Sequence, residues 1–289
     1  MADRPETRVD AGIVCKADIA GRAGHGISPN VNSPLERVIA TGPDPSVPRL
    51  LWELRAAHPV GASWTLSSRA TSRWPQDLLA ATLEGGALAA EHQSMDEPGG
   101  PGSRLAGPWR RARTLADLVG PDLRVLIVGL NPSLVAADCG VGFAGPTNRF
   151  WPAALDAGLV SVDRDPLHAF THHRVGMTDL VKRATPSARE LKAAEFRHGL
   201  ERLEQTVAWL QPRIVCVVGL TGWRTAHPRS ARQRTAQEGL QPDTLGGRPV
   251  YLMPNPSGLN AHVTRAGLAE RFAVVSSLAD DFVPPASTV

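Results

Sequence analysis

The chain has 289 residues, a net charge of +3 and three cysteines, and its pI is about 9.0. Three thiols cannot supply the four ligands of an iron–sulfur cluster, no apolar stretch approaches the ~20 residues of a membrane-spanning helix, and the N-terminus lacks a signal-peptide core. A reducing, cytoplasmic setting follows as the expectation. The charge is uneven: residues 1–105 hold 10 Lys and Arg against 12 Asp and Glu, and residues 106–289 hold 21 against 16. The basic excess lies in the second part, which suits an anionic partner such as nucleic acid; on charge alone an Arg-rich soluble domain is the stronger reading.

Residues 1–105 are broken by runs such as Gly42-Pro43-Asp44-Pro45 and Glu97-Pro98-Gly99-Gly100-Pro101-Gly102. Helical promise is confined to stretches near 49–57 and 76–90, so this part reads as a flexible or weakly helical extension. A regular pattern begins near Pro108. Arg124–Val128 reads as a strand, Asn148–Ala157 as a helix with Thr147 as N-cap, and Val175–Val181 as a short strand. Ser187 and Glu190 form a capping box before Leu191, Ala194, Leu200, Leu203, Val207 and Leu210, which recur at helical spacing until Pro212. Ile214–Val218 and Val250–Met253 are further apolar strands, and a last helix spans about 264–280. Between them, Arg224–Arg248 reads as a solvated basic loop, with a phosphate-contacting arm as the functional alternative. Strands alternating with helices predict an α/β domain over 106–289 with a mainly parallel sheet.

Two of the strands end on the same triplet. Val125-Leu126-Ile127-Val128 runs into Gly129-Leu130-Asn131-Pro132-Ser133, and Val250-Tyr251-Leu252-Met253 runs, after Pro254, into Asn255-Pro256-Ser257-Gly258-Leu259. Ligands of open parallel sheets bind at the carboxyl ends of the strands. If both strands run the same way, the two loops face one pocket. Taken singly, Asn131-Pro132 is an ordinary turn. The loop that follows carries one aromatic, Phe143, which can stack on a planar ligand or anchor the loop in the core; Phe150 and Trp151 read as core. The second loop holds Leu259 at a polar tip, where a leucine can act as a wedge in a base stack. His262 fits a catalytic electrophile, a phosphate contact or the start of the next helix.

The blocks G-L-N-P-S, G-P-T-N-R-F-W, G-M-T-D-L-V-K-R-A-T and P-N-P-S-G-L-N, in this order over roughly 108–282, resemble the mismatch-specific uracil/thymine-DNA glycosylases of the uracil-DNA glycosylase superfamily. The resemblance implies a three-layer α/β/α fold with a central, mainly parallel sheet. It implies a DNA repair enzyme that flips a nucleotide out of the duplex and hydrolyses its N-glycosidic bond, with no metal or cofactor. The implied partner is double-stranded DNA carrying uracil or a G·U or G·T mismatch, and the implied state is a monomer. Asn131 would orient the attacking water, Leu130, Ser133, Phe143 and Asn255 would surround the base, and Leu259 would fill the gap in the duplex, carried by Ser257, Gly258, Asn260 and His262. Gly258 would give the loop its turn and let it approach the DNA closely. A neutral amide is no general base, so such an enzyme would be slow, and a DNA-damage-binding module of the same fold is the alternative. Two departures stand out. Ser133 replaces a glycine common in relatives, and the tail Leu259-Asn260-Ala261-His262 lacks an arginine that some relatives aim at the opposing guanine.

Overall fold

The computed structural model describes residues 33–90, 108–227 and 236–282. Its centre is a five-stranded sheet of order β5-β4-β6-β8-β7. β4 (Val125–Gly129), β5 (Val175–Asp179), β6 (Ile214–Val218) and β8 (Arg248–Met253) are parallel, and β7 (Gly239–Leu245) pairs antiparallel at the edge of β8. Alternate residues of each strand serve opposite faces. Val125, Ile127, Cys216 and Met253 pack beneath α6 (Phe150–Asp156) and α10 (Arg265–Asp281), through Phe150, Trp151, Leu268 and Phe272. Leu126, Val128, Val215, Val217 and Leu252 pack on the other face against Phe196, Leu203 and Val207 of α8 (Ala193–Leu210) and Trp223 of α9 (Leu220–Ala226). α7 (Pro166–His173) leads into β5. Both faces of the parallel strands are thus covered. This is why they read as continuous apolar runs and not as alternation, and the three-layer α/β/α expectation holds.

Several boundaries differ from the sequence reading. Asn148, not Thr147, satisfies the start of α6, its Oδ1 accepting from the Phe150 N–H at 2.9 Å. The Ser187–Glu190 capping box exists but closes a short 3-10 turn at Ala188–Glu190, and α8 opens two residues later with Glu195 accepting from the Lys192 N–H. The basic loop expected at 224–248 holds the end of α9 and the edge strand β7; Arg229, Arg232 and Arg234 lie outside the described residues. β7 escaped notice because its burial alternates and Pro242 interrupts it, which is tolerable only where the pairing slips on an edge strand.

Residues 33–90 hold more structure than the expected weak helices. α1 (Pro34–Ile39), α2 (Val47–Ala57), α3 (Ser68–Thr71) and α4 (Gln76–Gly85) surround a small antiparallel sheet. In that sheet β3 (Pro108–Arg111) lies between β1 (Ser63–Thr65) and β2 (Leu88–Ala90). Leu35, Ile39, Leu51, Trp64, Trp74, Leu79, Leu83 and Trp109 form its core. Each large apolar side chain buried this way stabilises by on the order of 1.5–3 kcal/mol, enough together to order short elements. The unit also docks on α8: Trp74 meets Trp209 edge to face at 5.6 Å, the Trp209 indole N–H donates to the Pro43 carbonyl at 3.2 Å, and Glu84 pairs with His198 at 2.8 Å. The Gly-rich run at 97–102 lies outside the described residues.

Candidate active site

The parallel sheet brings the carboxyl ends of β4, β5, β6 and β8 to one edge. A cavity of about 280 Å³ opens there, lined by Leu130, Asn131, Ser133, Phe143, Asp179, Asn255, Ser257 and Gly258 among others. The two Asn-Pro-Ser loops, separated in the sheet by β6, therefore meet in one pocket.

Asn131 is held by its amide nitrogen. Nδ2 donates to the Pro132 carbonyl at 3.1 Å, the Arg183 carbonyl at 3.1 Å and the Thr185 hydroxyl at 2.8 Å. Thr185 in turn donates to the Ser187 carbonyl at 3.0 Å, which leaves its lone pair for Asn131. Carbonyl oxygens can only accept, so the network fixes which end of the amide is nitrogen. Oδ1 has no protein donor among the described residues and is available to accept from water.

Across the register from Gly129 stands Asp179, the last residue of β5. A Cβ at position 129 would lie 2.4 Å from Asp179 Oδ1, so only glycine lets the carboxylate sit against β4. Asp179 is buried, and that burial raises its pKa to about 6, with Lys182 and Arg202 pulling it down and Asp117 pushing it up. The sequence reading missed this residue. Its signal was an aspartate ending a buried strand, Gly176-Met177-Thr178-Asp179, at the edge where sheet ligands bind.

Phe143 adopts a left-handed backbone (φ 56°), uncommon for a bulky residue and of the kind that persists where the surroundings enforce it. Two contacts enforce it. The ring stacks on Phe150 at 4.1 Å with an interplanar angle of 10°, and the Trp151 indole N–H donates to the Gly142 carbonyl at 2.9 Å. Phe143 is half-buried on the core, as its reading as a loop anchor expects, and also lines the cavity. Phe150 and Trp151 are fully buried, as expected of core residues.

The second loop is braced differently. Asn255 Oδ1 accepts from the Ser257 N–H at 2.9 Å, closing an Asx turn, and its amide N–H group has no acceptor among the described residues. Asn260 folds back, its Nδ2 donating to the Asn255 carbonyl at 3.1 Å. Arg149 donates to the Ser257 and Asn260 carbonyls at 2.7 and 2.8 Å and to the Val263 carbonyl, and its own N–H reaches the Pro256 carbonyl at 3.0 Å. Arg149 was quoted in a motif block but given no role. A lone arginine in sequence does not reveal that its fork will meet three carbonyls more than a hundred residues away. At the tip, Leu259 is 96% exposed.

Four other residues of these loops have defined surroundings. Gly258 is not required by a left-handed turn: a Cβ there would stand 2.6 Å from Thr147 Cβ, so glycine serves the close approach of the two loops to each other. Ser133 lines the cavity but also caps α5 (Leu134–Cys139), its hydroxyl accepting from the Ala136 N–H at 3.1 Å. Leu130 borders the cavity while its side chain packs on the apolar cluster beneath α8, directly over Gly222. His262 is exposed and lies before α10, which Thr264 caps.

The site is thus a polar pocket at the carboxyl edge of an open α/β sheet, with Phe143 on its wall and Leu259 exposed on the neighbouring loop. A model of the uracil DNA glycosylase superfamily matches residues 116–279, more than half of the chain, and the chain belongs to that family. The family consists of DNA glycosylases, hydrolases of base excision repair, and membership implies uracil-DNA glycosylase-type activity on DNA. Among the described residues no helix is long and apolar enough to cross a membrane.

Proposed function

We propose that the protein removes uracil from double-stranded DNA, preferentially in G·U mismatches, as a monofunctional glycosylase acting as a monomer. The flipped base stacks on Phe143. The open N–H group of Asn255 donates to a base carbonyl oxygen. Asn131 Oδ1 accepts a hydrogen bond from a water and holds it beneath the sugar. As the N-glycosidic bond lengthens, positive charge grows on the sugar and negative charge on the uracil, and fixed donors stabilise the latter. The Asp179 carboxylate takes the water's proton as its oxygen bonds to C1′, and uracil leaves with the bonding electron pair. Leu259 occupies the space the base vacated.

The observation that carries this reading is the pairing, in one cavity, of an amide oxygen without a protein donor among the described residues with a buried carboxyl whose pKa of about 6 leaves it mostly ionised at pH 7. The alternative, a damage-binding module that leaves the bond intact, rests on the lack of a general base, and the presence of Asp179 in the cavity supports hydrolysis over it. Single-turnover uracil release from single-stranded, A·U and G·U DNA tests the proposal. Release fastest from the G·U duplex is expected. Tight G·U binding with no uracil released would favour the binding module.

A further inference from the structure

Behind Asp179 lies a buried cluster of charges reaching out of the family-matched region. Asp117 accepts from Lys182 Nζ at 2.7 Å, from Arg202 at 2.9 Å and from the Thr178 hydroxyl at 2.6 Å. Arg202 also donates to the Asp179 main-chain carbonyl at 2.6 Å, Lys182 Nζ donates to the Leu115 carbonyl, and Thr114 donates to the Lys182 carbonyl. All of these side chains are buried. The anchor comes from the N-terminal unit: the Asp117 N–H donates to the carbonyl of Gly85, the last residue of α4, at 2.7 Å. A Cβ on Gly85 would stand 2.5 Å from Asp117 Oδ2.

We propose that Asp117, seated on Gly85 of the N-terminal unit, is a positioning residue for Asp179, and that residues 33–90 are thereby part of the catalytic apparatus. The inference rests on the reading of Asp179 as the base. Among the described residues the charged groups acting on the Asp179 carboxyl are Lys182 on the segment after β5, Asp117 on the segment before β4 and Arg202 on α8. Two cations face two carboxyls. Burial opposes ionisation of Asp117, but Lys182 and Arg202 outweigh it and hold the group below the usual carboxylate range. Asp117 therefore neutralises one of the two cations at every working pH, and Asp179 ionises against the other. Seating Asp117 thus sets both the place of the Asp179 backbone, through Arg202, and the pH at which its side chain becomes a base.

The test is the pH dependence of single-turnover uracil release by the full chain carrying Asp117→Asn. Removing that negative charge leaves both cations to Asp179, and the acid limb is expected to move down by about one pH unit. Gly85→Ala leaves every charge in the cluster and pushes Asp117 off its seat. It is expected to move the limb the same way by a smaller amount, and it decides the matter if Asp117→Asn does not fold. A lower rate with the limb unmoved would make the cluster merely structural and overturn the proposal. Asp179→Asn, run in parallel, separates the two failures. A limb that persists there sinks Asp179 as the base. A limb that vanishes there but stays put in the Asp117 and Gly85 variants sinks only this inference.

Discussion

The two Asn-Pro-Ser loops share a triplet and a place at strand ends, yet they present opposite halves of the same side chain. Asn131 is tied by its nitrogen to two carbonyls and a hydroxyl and offers an oxygen. Asn255 is tied by its oxygen to a backbone N–H and offers a nitrogen. One loop thus supplies an acceptor suited to water, the other a donor suited to a base carbonyl. A functional group is defined as much by what its other end is bonded to as by its identity.

The contrast can be broken by substitution. The largest effect is expected at the acceptor: Asn131→Ala should slow single-turnover release by about 10²–10³-fold while leaving G·U affinity nearly unchanged, since the loss falls on the transition state. Parent-like excision would remove the water-orienting role. Next comes its neighbour. Asp179→Asn should cost on the order of 10²-fold, within the range of general-base contributions. The parent's rate should fall as pH drops through about 6, because protonation removes the base. The stability consequence has the opposite sign. A carboxyl whose folded pKa exceeds its unfolded value penalises the fold once pH rises through that interval, so Asp179→Asn should raise stability at pH 7, by about 1–3 kcal/mol. Chemical denaturation at pH 7 and pH 5 checks this: the advantage should shrink at the lower pH.

Smaller effects are expected on the donor side. Asn255→Asp keeps the oxygen that closes the Asx turn but removes the donor and adds a negative charge where uracil departs as an anion. A loss of roughly 10–10²-fold is expected, with stability held. Asn255→Asp as fast as the parent would mean that the two amides do not divide the work as described. Leu259→Ala touches neither amide. Because that side chain is 96% exposed, thermal stability should not move, while excision from duplex DNA falls by about 10-fold and excision from single strands stays level. Equal losses on both substrates would refute the wedge.

The parallel strands were legible because burial on both faces writes unbroken apolar runs such as Val125–Val128 and Ile214–Val218. The long helix was legible because Leu200, Leu203, Val207 and Leu210 keep its period. The N-terminal unit was not. Its elements are short, glycine and proline punctuate them, and its core is made by Trp64, Trp74 and Trp109, which show no common period and meet only when β3 inserts between β1 and β2. Among site residues, Asn131 and Asn255 stood out because each sits on a loop after a strand, within a quotable motif, and Phe143 because it is the lone aromatic of the small-residue stretch 133–145. Asp179 lay inside a block that was recognised as a whole, where its chemistry did not show.

The sequence by itself determined the parallel strands and the long helices of the second part, and with them the expectation that two Asn-Pro-Ser loops would face the same edge of a parallel sheet, since local periodicity and turn chemistry act over a few residues. Tertiary structure alone decided which atom of each asparagine meets the pocket and how far the Asp179 carboxyl is displaced from its ordinary ionisation. Those properties depend on partners 52 and 54 residues from Asn131, on Asp117, 62 residues from Asp179, and on burial from water. Such long-range contacts are set by packing and leave no pattern along the chain.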